Sequence, residues 1–307
     1  MLYIVNEFHF IKPALDDVTA SLKSFFEVRG ISYFSFFKSI AYTFPDSDLT
    51  NLPSSGSGTT GGGSDELFLD QEHSLSNFEG RLSFKNQKII DGNLEGFFSN
   101  NQKLKFTTKT NNNEKITTLF LDKAKPIIRR YSFIKGFEEG VLDFYSSKKN
   151  KISNSTLKIY DFKLKELPAL TKLLTLASLQ GIADLLSGEG IRFDEFEMNF
   201  SNKGSLMTID EIYAIGPAIS FLMSGYIEKK KIISLRGTLV PATTINKAIG
   251  SIPVLGQILV GSKMGEGVFG VSFKIKGPPD DPETTVNPIK TLTPRFITRT
   301  LEKIKKN

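Results

Sequence analysis

The sequence predicts a mainly β protein, an elongated antiparallel sheet of meander topology carrying a few short amphipathic helices. Three observations support this. From Leu75 onward, segments with period-two alternation follow one another: Gly80 to Phe84, Ile89 to Ser99, Leu104 to Lys109, Ile116 to Leu121, Val141 to Tyr145 and Thr156 to Phe162. Turns rich in Asn, Gly, Lys and Asp separate them, and no intervening helix is long enough to cross over between parallel partners, so neighbours pair antiparallel. Finally, LSFKNQKIIDGNLEGFFSNNQKLKF, from Leu82, lays over MNFSNKGSLMTIDEIYAIGPAISFLMSG, from Met198, each reading strand, polar turn, strand, glycine, strand. Such units add edge to edge, each covering its neighbour's edge, and build a long sheet instead of a compact sandwich.

Taken in order, residues 1–51 alternate aromatic and polar positions in places (Tyr33, Phe34, Phe36, Phe37, Ile40), which suggests strands around a short helix at Pro13 to Phe26. Residues 52–66, LPSSGSGTTGGGSDE, read as a flexible Gly/Ser linker, because a phosphate loop needs a lysine-serine/threonine ending after a buried strand. The principal domain is 67–307. Within it, Leu167 to Leu186 places Leu170, Leu173, Leu174, Ala177, Gly181 and Leu185 on one helical stripe, with Pro168 suited to the first turn. That helix packs on the sheet, covers one end of a groove, or lies against a membrane interface. Glu195 and Glu197 alternate with Phe196, Met198 and Phe200, giving a strand with one wet face, and Asp210 and Glu211 fall in a turn before Ile212.

The last quarter forms a unit of its own. An apolar strand stops at Pro241, which has no amide hydrogen for a ladder. Two short helices follow from Ala242, bent at Gly250, Ile252-Pro253 and Gly256. Period two then resumes, with Phe269, Val271, Phe273 and Ile275 on one face, before GPPDDP turns the chain back through Thr284 to Val286.

Composition excludes several functions. The chain has 307 residues, enough for a sizeable core, with 26 phenylalanines and no cysteine or tryptophan. No disulfide and no thiolate metal site are available. The net charge of +6 comes from lysines scattered among turns, which reads first as a solvated surface and next as attraction to anionic headgroups. Nucleic acid is not an expected partner, since no basic recognition helix or known module is present. No stretch reaches the roughly 18 to 20 uncharged apolar residues of a spanning helix, and MLYIVNEFHF lacks the basic region and cleavage site of a signal peptide. The two histidines, His9 and His73, have no acidic or cysteine neighbour at ligand spacing, and Asp280 and Asp281 are explained by the proline turn. With no nucleophile beside a base and no metal motif, the sequence predicts neither catalysis nor a cofactor.

Attention therefore falls on the apolar stripes. Phe196, Met198 and Phe200, then Ile219, Phe221 and Met223, then Phe269, Val271, Phe273 and Ile275 project to one side of successive strands. They either pack as a closed core or line an open trough that demands a ligand with long apolar tails.

Several motifs resemble a known family. Gly237-Thr-Leu-Val-Pro-Ala, Ile245-Asn246, Ile252-Pro253-Val-Leu-Gly256-Gln, Gly265-Glu-Gly267-Val-Phe-Gly and Asp281-Pro282-Glu-Thr-Thr-Val-Asn287-Pro288 are similar to the closing signature of the AsmA-like, YhdP-type proteins of Gram-negative bacteria. Asp161-Phe-Lys-Leu and Ser187-Gly-Glu-Gly-Ile-Arg-Phe resemble the same family upstream, whereas Leu292-Thr-Pro-Arg departs from its usual Leu-Ala-Pro-Gly. The resemblance implies an elongated, curved antiparallel β-sheet, groove-like, that carries phospholipid acyl chains from the inner toward the outer membrane. By that analogy the three stripes line the groove, signature residues Gly237, Pro241, Asn246, Pro253, Gly256, Gly267, Pro282, Asn287 and Pro288 shape its end, and the partners are phospholipids with a membrane surface or envelope proteins. It also implies a periplasmic location and an inner-membrane anchor in a longer parent protein. The alternative is a non-catalytic β-scaffold with a closed hydrophobic core.

Overall fold

The computed structural model describes residues 57–68, 73–85, 88–130, 136–165, 168–241, 270–279 and 281–289. It contains one curved, 13-stranded antiparallel sheet whose spatial order is the chain order. The strands are β1 (Ser57–Phe68), β2 (Ser74–Lys85), β3 (Lys88–Phe98), β4 (Gln102–Asn111), β5 (Glu114–Leu121), β6 (Phe137–Lys149), β7 (Ile152–Leu164), β8 (Ile191–Lys203), β9 (Leu206–Ile215), β10 (Ile219–Glu228), β11 (Ile232–Pro241), β12 (Gly270–Gly277) and β13 (Glu283–Ile289). Each strand segment expected from Leu75 onward lies inside one of these, up to one residue at an end.

Turn chemistry sets the meander. Asn112 and Asn113, at φ 46° and 65°, make the two-residue β4–β5 turn, and Asn150 (58°) and Gly204 (60°) supply left-handed residues at β6–β7 and β8–β9. Asparagine and glycine tolerate that conformation, whose twist matches the flanking strands. Because connections alternate between the ends of the sheet, all these tight turns share one rim, the turn rim. The opposite rim carries the described helices, α1 (Lys125–Arg130) between β5 and β6, and α2 (Pro168–Leu176) and α3 (Gln180–Ser187) between β7 and β8.

Three expectations change. The Gly/Ser segment is no linker over 57–66: it is β1, paired with β2 from Ser57↔Lys85 to Phe68↔Ser74. A neighbouring strand that offers a full ladder of amides and carbonyls orders even residues with weak intrinsic preference. The single helix over Leu167 to Leu186 is two, because Ser178 turns left-handed (φ 58°) and the Leu179 amide closes back on the Leu174 carbonyl at 2.8 Å. Leu170, Leu173, Leu174 and Leu186 are buried, and α2 comes against β13 on the far side of the sheet's curve. Finally, Asp210 and Glu211 are inside β9, where Asp210 is an extra residue opposite both β8 and β10. This bulge switches the inward parity from Ile209 to Ile212, both buried. Residues 1–51 and the helices expected after Ala242 lie outside the described residues.

A second change of phase runs across three strands. The ladder skips Gly140, Asp161 and Asp194, which face one another by register. Gly140 (φ 85°) and Asp161 (φ 51°) are left-handed. Inward positions therefore change from Phe137 to Leu142 in β6, from Ile159 to Phe162 in β7 and from Phe193 to Phe196 in β8, and all six side chains are buried.

Candidate apolar lane and its polar margin

Direct pairing converts the stripes into rows that run across the sheet, perpendicular to the strands. The central row is Leu94, Phe106, Leu119, Phe144, Leu157, Met198, Ile212, Met223, Gly237, Phe273 and Val286, one residue from each strand β3 to β13. Toward the helix rim lies Leu104, Leu121, Leu142, Ile159, Phe196, Ala214, Phe221, Leu239 and Val271. Toward the turn rim, Phe200, Ile209, Gly225, Leu235 and Ile275 continue the pattern. Paired residues share a face, so these rows form one apolar lane on the inner face.

The expected residues Phe196, Met198, Phe200, Ile219, Phe221, Met223, Val271, Phe273 and Ile275 all project inward and are 0–6% exposed. Phe269 lies outside the described residues. The lane is sealed over β6–β12 but not along its length: Leu94, Phe106 and Leu119, in β3–β5, are only half-buried.

Among the signature positions, Gly237 has the clearest physical role. A Cβ there would stand 2.4 Å from Phe273 Cζ and 2.5 Å from the Leu222 carbonyl oxygen. The Phe273 ring therefore lies over the glycine, and Gly237→Val should destabilise by about 1–3 kcal/mol through overpacking, read as a lower urea midpoint. Pro241 ends β11 opposite Ile219, Pro282 is buried in the β12–β13 turn, and Pro288 sits on the edge strand β13 opposite Val271. Asn287 is exposed, its carbonyl accepting from Ser272 Oγ at 3.3 Å. Asn246, Pro253, Gly256 and Gly267 lie outside the described residues.

Alternation at period two misses the aromatic set beside the helix rim. Phe137 and Phe162 stack at 5.5 Å between centroids, Phe162 and Phe193 at 5.4 Å, and the edges of Phe196 and Phe221 close on this stack at 6.4 and 6.0 Å. The signal was the three-residue step from Phe193 to Phe196, too long for one face of a regular strand.

Charge is also more organised than its spread along the chain suggests. Lys109 and Lys115 flank the β4–β5 turn, Lys148, Lys149 and Lys151 the β6–β7 turn, Lys203 precedes the β8–β9 turn, and Lys229 to Lys231 make the β10–β11 turn. A meander places alternate turns together, so lysines far apart in sequence share the turn rim. Elsewhere the polar face carries ordinary pairs, such as Arg192 with Glu139 at 2.9 Å. The Lys103 ammonium, 2.6 Å from Glu95, holds that carboxyl below its usual range, and burial pushes the Tyr160 hydroxyl up.

A cleft of about 360 Å³ opens where the Asp210 bulge meets β10–β13, with Glu211, Arg236, Lys274 and Asn287 beside Leu222, Met223 and Phe273 in its lining. Its charges are of both signs and select no ligand. Among the described residues, no cluster of three His, Cys, Asp or Glu could hold a metal, and no helix is long and apolar enough to cross a membrane. No family model, curated protein or solved structure matches the chain. The AsmA-like resemblance therefore rests on the motifs themselves.

Proposed function

We propose that this chain is a non-catalytic lipid-binding protein of the Gram-negative envelope. It holds phospholipid acyl chains along the apolar lane and passes them from the inner toward the outer membrane from a periplasmic position, as part of a longer, inner-membrane-anchored protein. The observation that carries this is the partly buried stretch of the lane at Leu94, Phe106 and Leu119, less covered than the sealed rows with which it is continuous by register. Contiguous apolar surface left open to water marks a site for an apolar partner. The lysine-bearing turn rim supports the same reading, because ammonium groups attract anionic headgroups.

One observation favours a second reading, an envelope scaffold with a closed core: side chains of the lane across β6–β12 are packed against one another in a single buried cluster. Native mass spectrometry of the full chain, with lipid extraction, separates the two. Under the lipid reading phospholipid co-purifies with the wild type and is largely lost from Phe106→Gln/Leu119→Gln, with circular dichroism unchanged, since both positions are half-buried. A folded wild-type chain that carries no lipid, and takes none from phospholipid vesicles, supports the scaffold.

A further inference from the structure

The inner face is not apolar throughout. Toward the turn rim, the row that reads Phe200, Ile209, Gly225, Leu235 and Ile275 in later strands reads Thr108, Thr117, Ser146 and Ser155 in β4–β7. All four are buried, Thr108 and Thr117 sharing a hydrogen bond at 3.0 Å and Ser155 Oγ donating to Ser146 Oγ at 2.9 Å. One row nearer the rim, Lys115 pairs with Lys148, Lys148 with Ser153 and Ser153 with Asn202. Ser153 is 1% exposed and Asn202 2%, yet Ser153 Oγ, Asn202 Oδ1 and Asn202 Nδ2 have no hydrogen-bond partner in the protein.

Buried polar groups are nearly always paired, and an orphaned one is costly to keep. Here three such atoms are adjacent, on the same face as a hydroxyl ladder and two lysines. The later strands fill the corresponding positions with apolar residues, Phe200, Ile209, Leu235 and Ile275 in the first row and Met207, Ile227 and Ile233 in the second.

We propose that Ser153 and Asn202 form a binding site for the phosphodiester headgroup of a lipid whose tails occupy the lane. This inference deepens the lipid reading and rests on it. The chemistry narrows the class. The Asn202 amide N–H and the Ser153 hydroxyl can donate to phosphate oxygens, with the charges of Lys115 and Lys148 in the same row favouring an anion. Asn202 Oδ1 is an acceptor, and an anion alone leaves it unmet. A headgroup carrying its own donor beyond the phosphate, an ammonium or a hydroxyl, satisfies both sides of the amide. The site lies on the inner face and not in open water, so it reads the headgroup instead of merely tolerating it.

The test uses the full chain, with Ser153→Ala and Asn202→Ala as separate variants, each removing polar atoms without adding bulk beyond the native volume. Three probes are titrated: dioleoyl phosphatidylethanolamine in mixed micelles, methyl oleate, which has the tail without a charged headgroup, and water-soluble glycerophosphoethanolamine. Loss of the headgroup hydrogen bonds should weaken phosphatidylethanolamine binding by roughly tenfold in each variant, with methyl oleate unchanged. Equal loss of both tailed probes, or no loss of either, overturns the site, leaving these atoms to water. If neither tailed probe binds the wild type, the lipid reading has failed. The site then survives only as a soluble phosphodiester site, shown by glycerophosphoethanolamine binding the wild type and not the variants, and falls if that probe is also silent.

Discussion

Phe162→Ala should lower the melting temperature more than any other single truncation in the described sheet. Phe162 is 2% exposed and touches Phe137, Phe193 and Phe196, so its removal loses two stacked contacts and one edge contact together and leaves a cavity on the inner face. Truncating a buried phenylalanine costs about 3–5 kcal/mol. At about 2–4 °C per kcal/mol this lowers Tm by roughly 6–20 °C, measured by differential scanning calorimetry. Tyr145→Ala is the control, since Tyr145 is 45% exposed and its loss should cost about 0.5 kcal/mol or less. Equal shifts for the two variants would show that the aromatic set is not part of the core.

Phe221→Glu should destabilise the chain by several kcal/mol at neutral pH. Phe221 is 3% exposed and lies between Ala214 and Leu239, with its ring against Phe193. No cation is among these neighbours to pair an introduced carboxylate, and burying an unpaired charge costs several kcal/mol. The sign of the pH dependence follows. Burial raises the pKa of the introduced carboxyl above its unfolded value of about 4.3, so the folded state binds more protons and stability falls as pH rises above that value and through the raised folded pKa. The urea midpoint of this variant should therefore be higher at pH 4 than at pH 8, relative to wild type at each pH. A wild-type midpoint at pH 8 would mean that Phe221 faces a wet groove, contrary to its burial. Because Phe221 is sealed, this substitution reports on the core whether or not lipid binds, and the lipid question passes to Phe106 and Leu119 in the less covered stretch of the lane.

The topology was legible because its signals are local. Two-residue turns such as Asn112-Asn113, alternation such as Phe196, Met198 and Phe200, and the absence of crossover helices each act within a few residues. The parts that were hidden depend on partners far along the chain. The glycines of β1 gain their order from the β2 ladder. The Asp210 bulge and the phase change at Gly140, Asp161 and Asp194 alter parity by one residue, which no period-two count anticipates. For that reason Phe162 and Phe193 were missed although their neighbours were found. The polar margin was hidden differently: Ser146, Ser153, Ser155 and Asn202 look like surface residues of wet strands until register sets them beside the apolar rows. Whether the lane conducts lipid was not legible at all, since the same alternation builds a closed core.

The neighbour-only order of the thirteen strands has a kinetic consequence. Every ladder joins segments adjacent along the chain, and the tight hairpins close loops of two residues at β4–β5, β6–β7 and β8–β9. Little chain entropy opposes each such closure, so assembly can nucleate in any one hairpin and advance strand by strand, as in a one-dimensional zipper. The route back is set by the ends. Among the described strands β1 and β13 each have a single neighbour, so they lose their pairing first, and amide exchange should slow inward toward β7, the middle strand of the sheet.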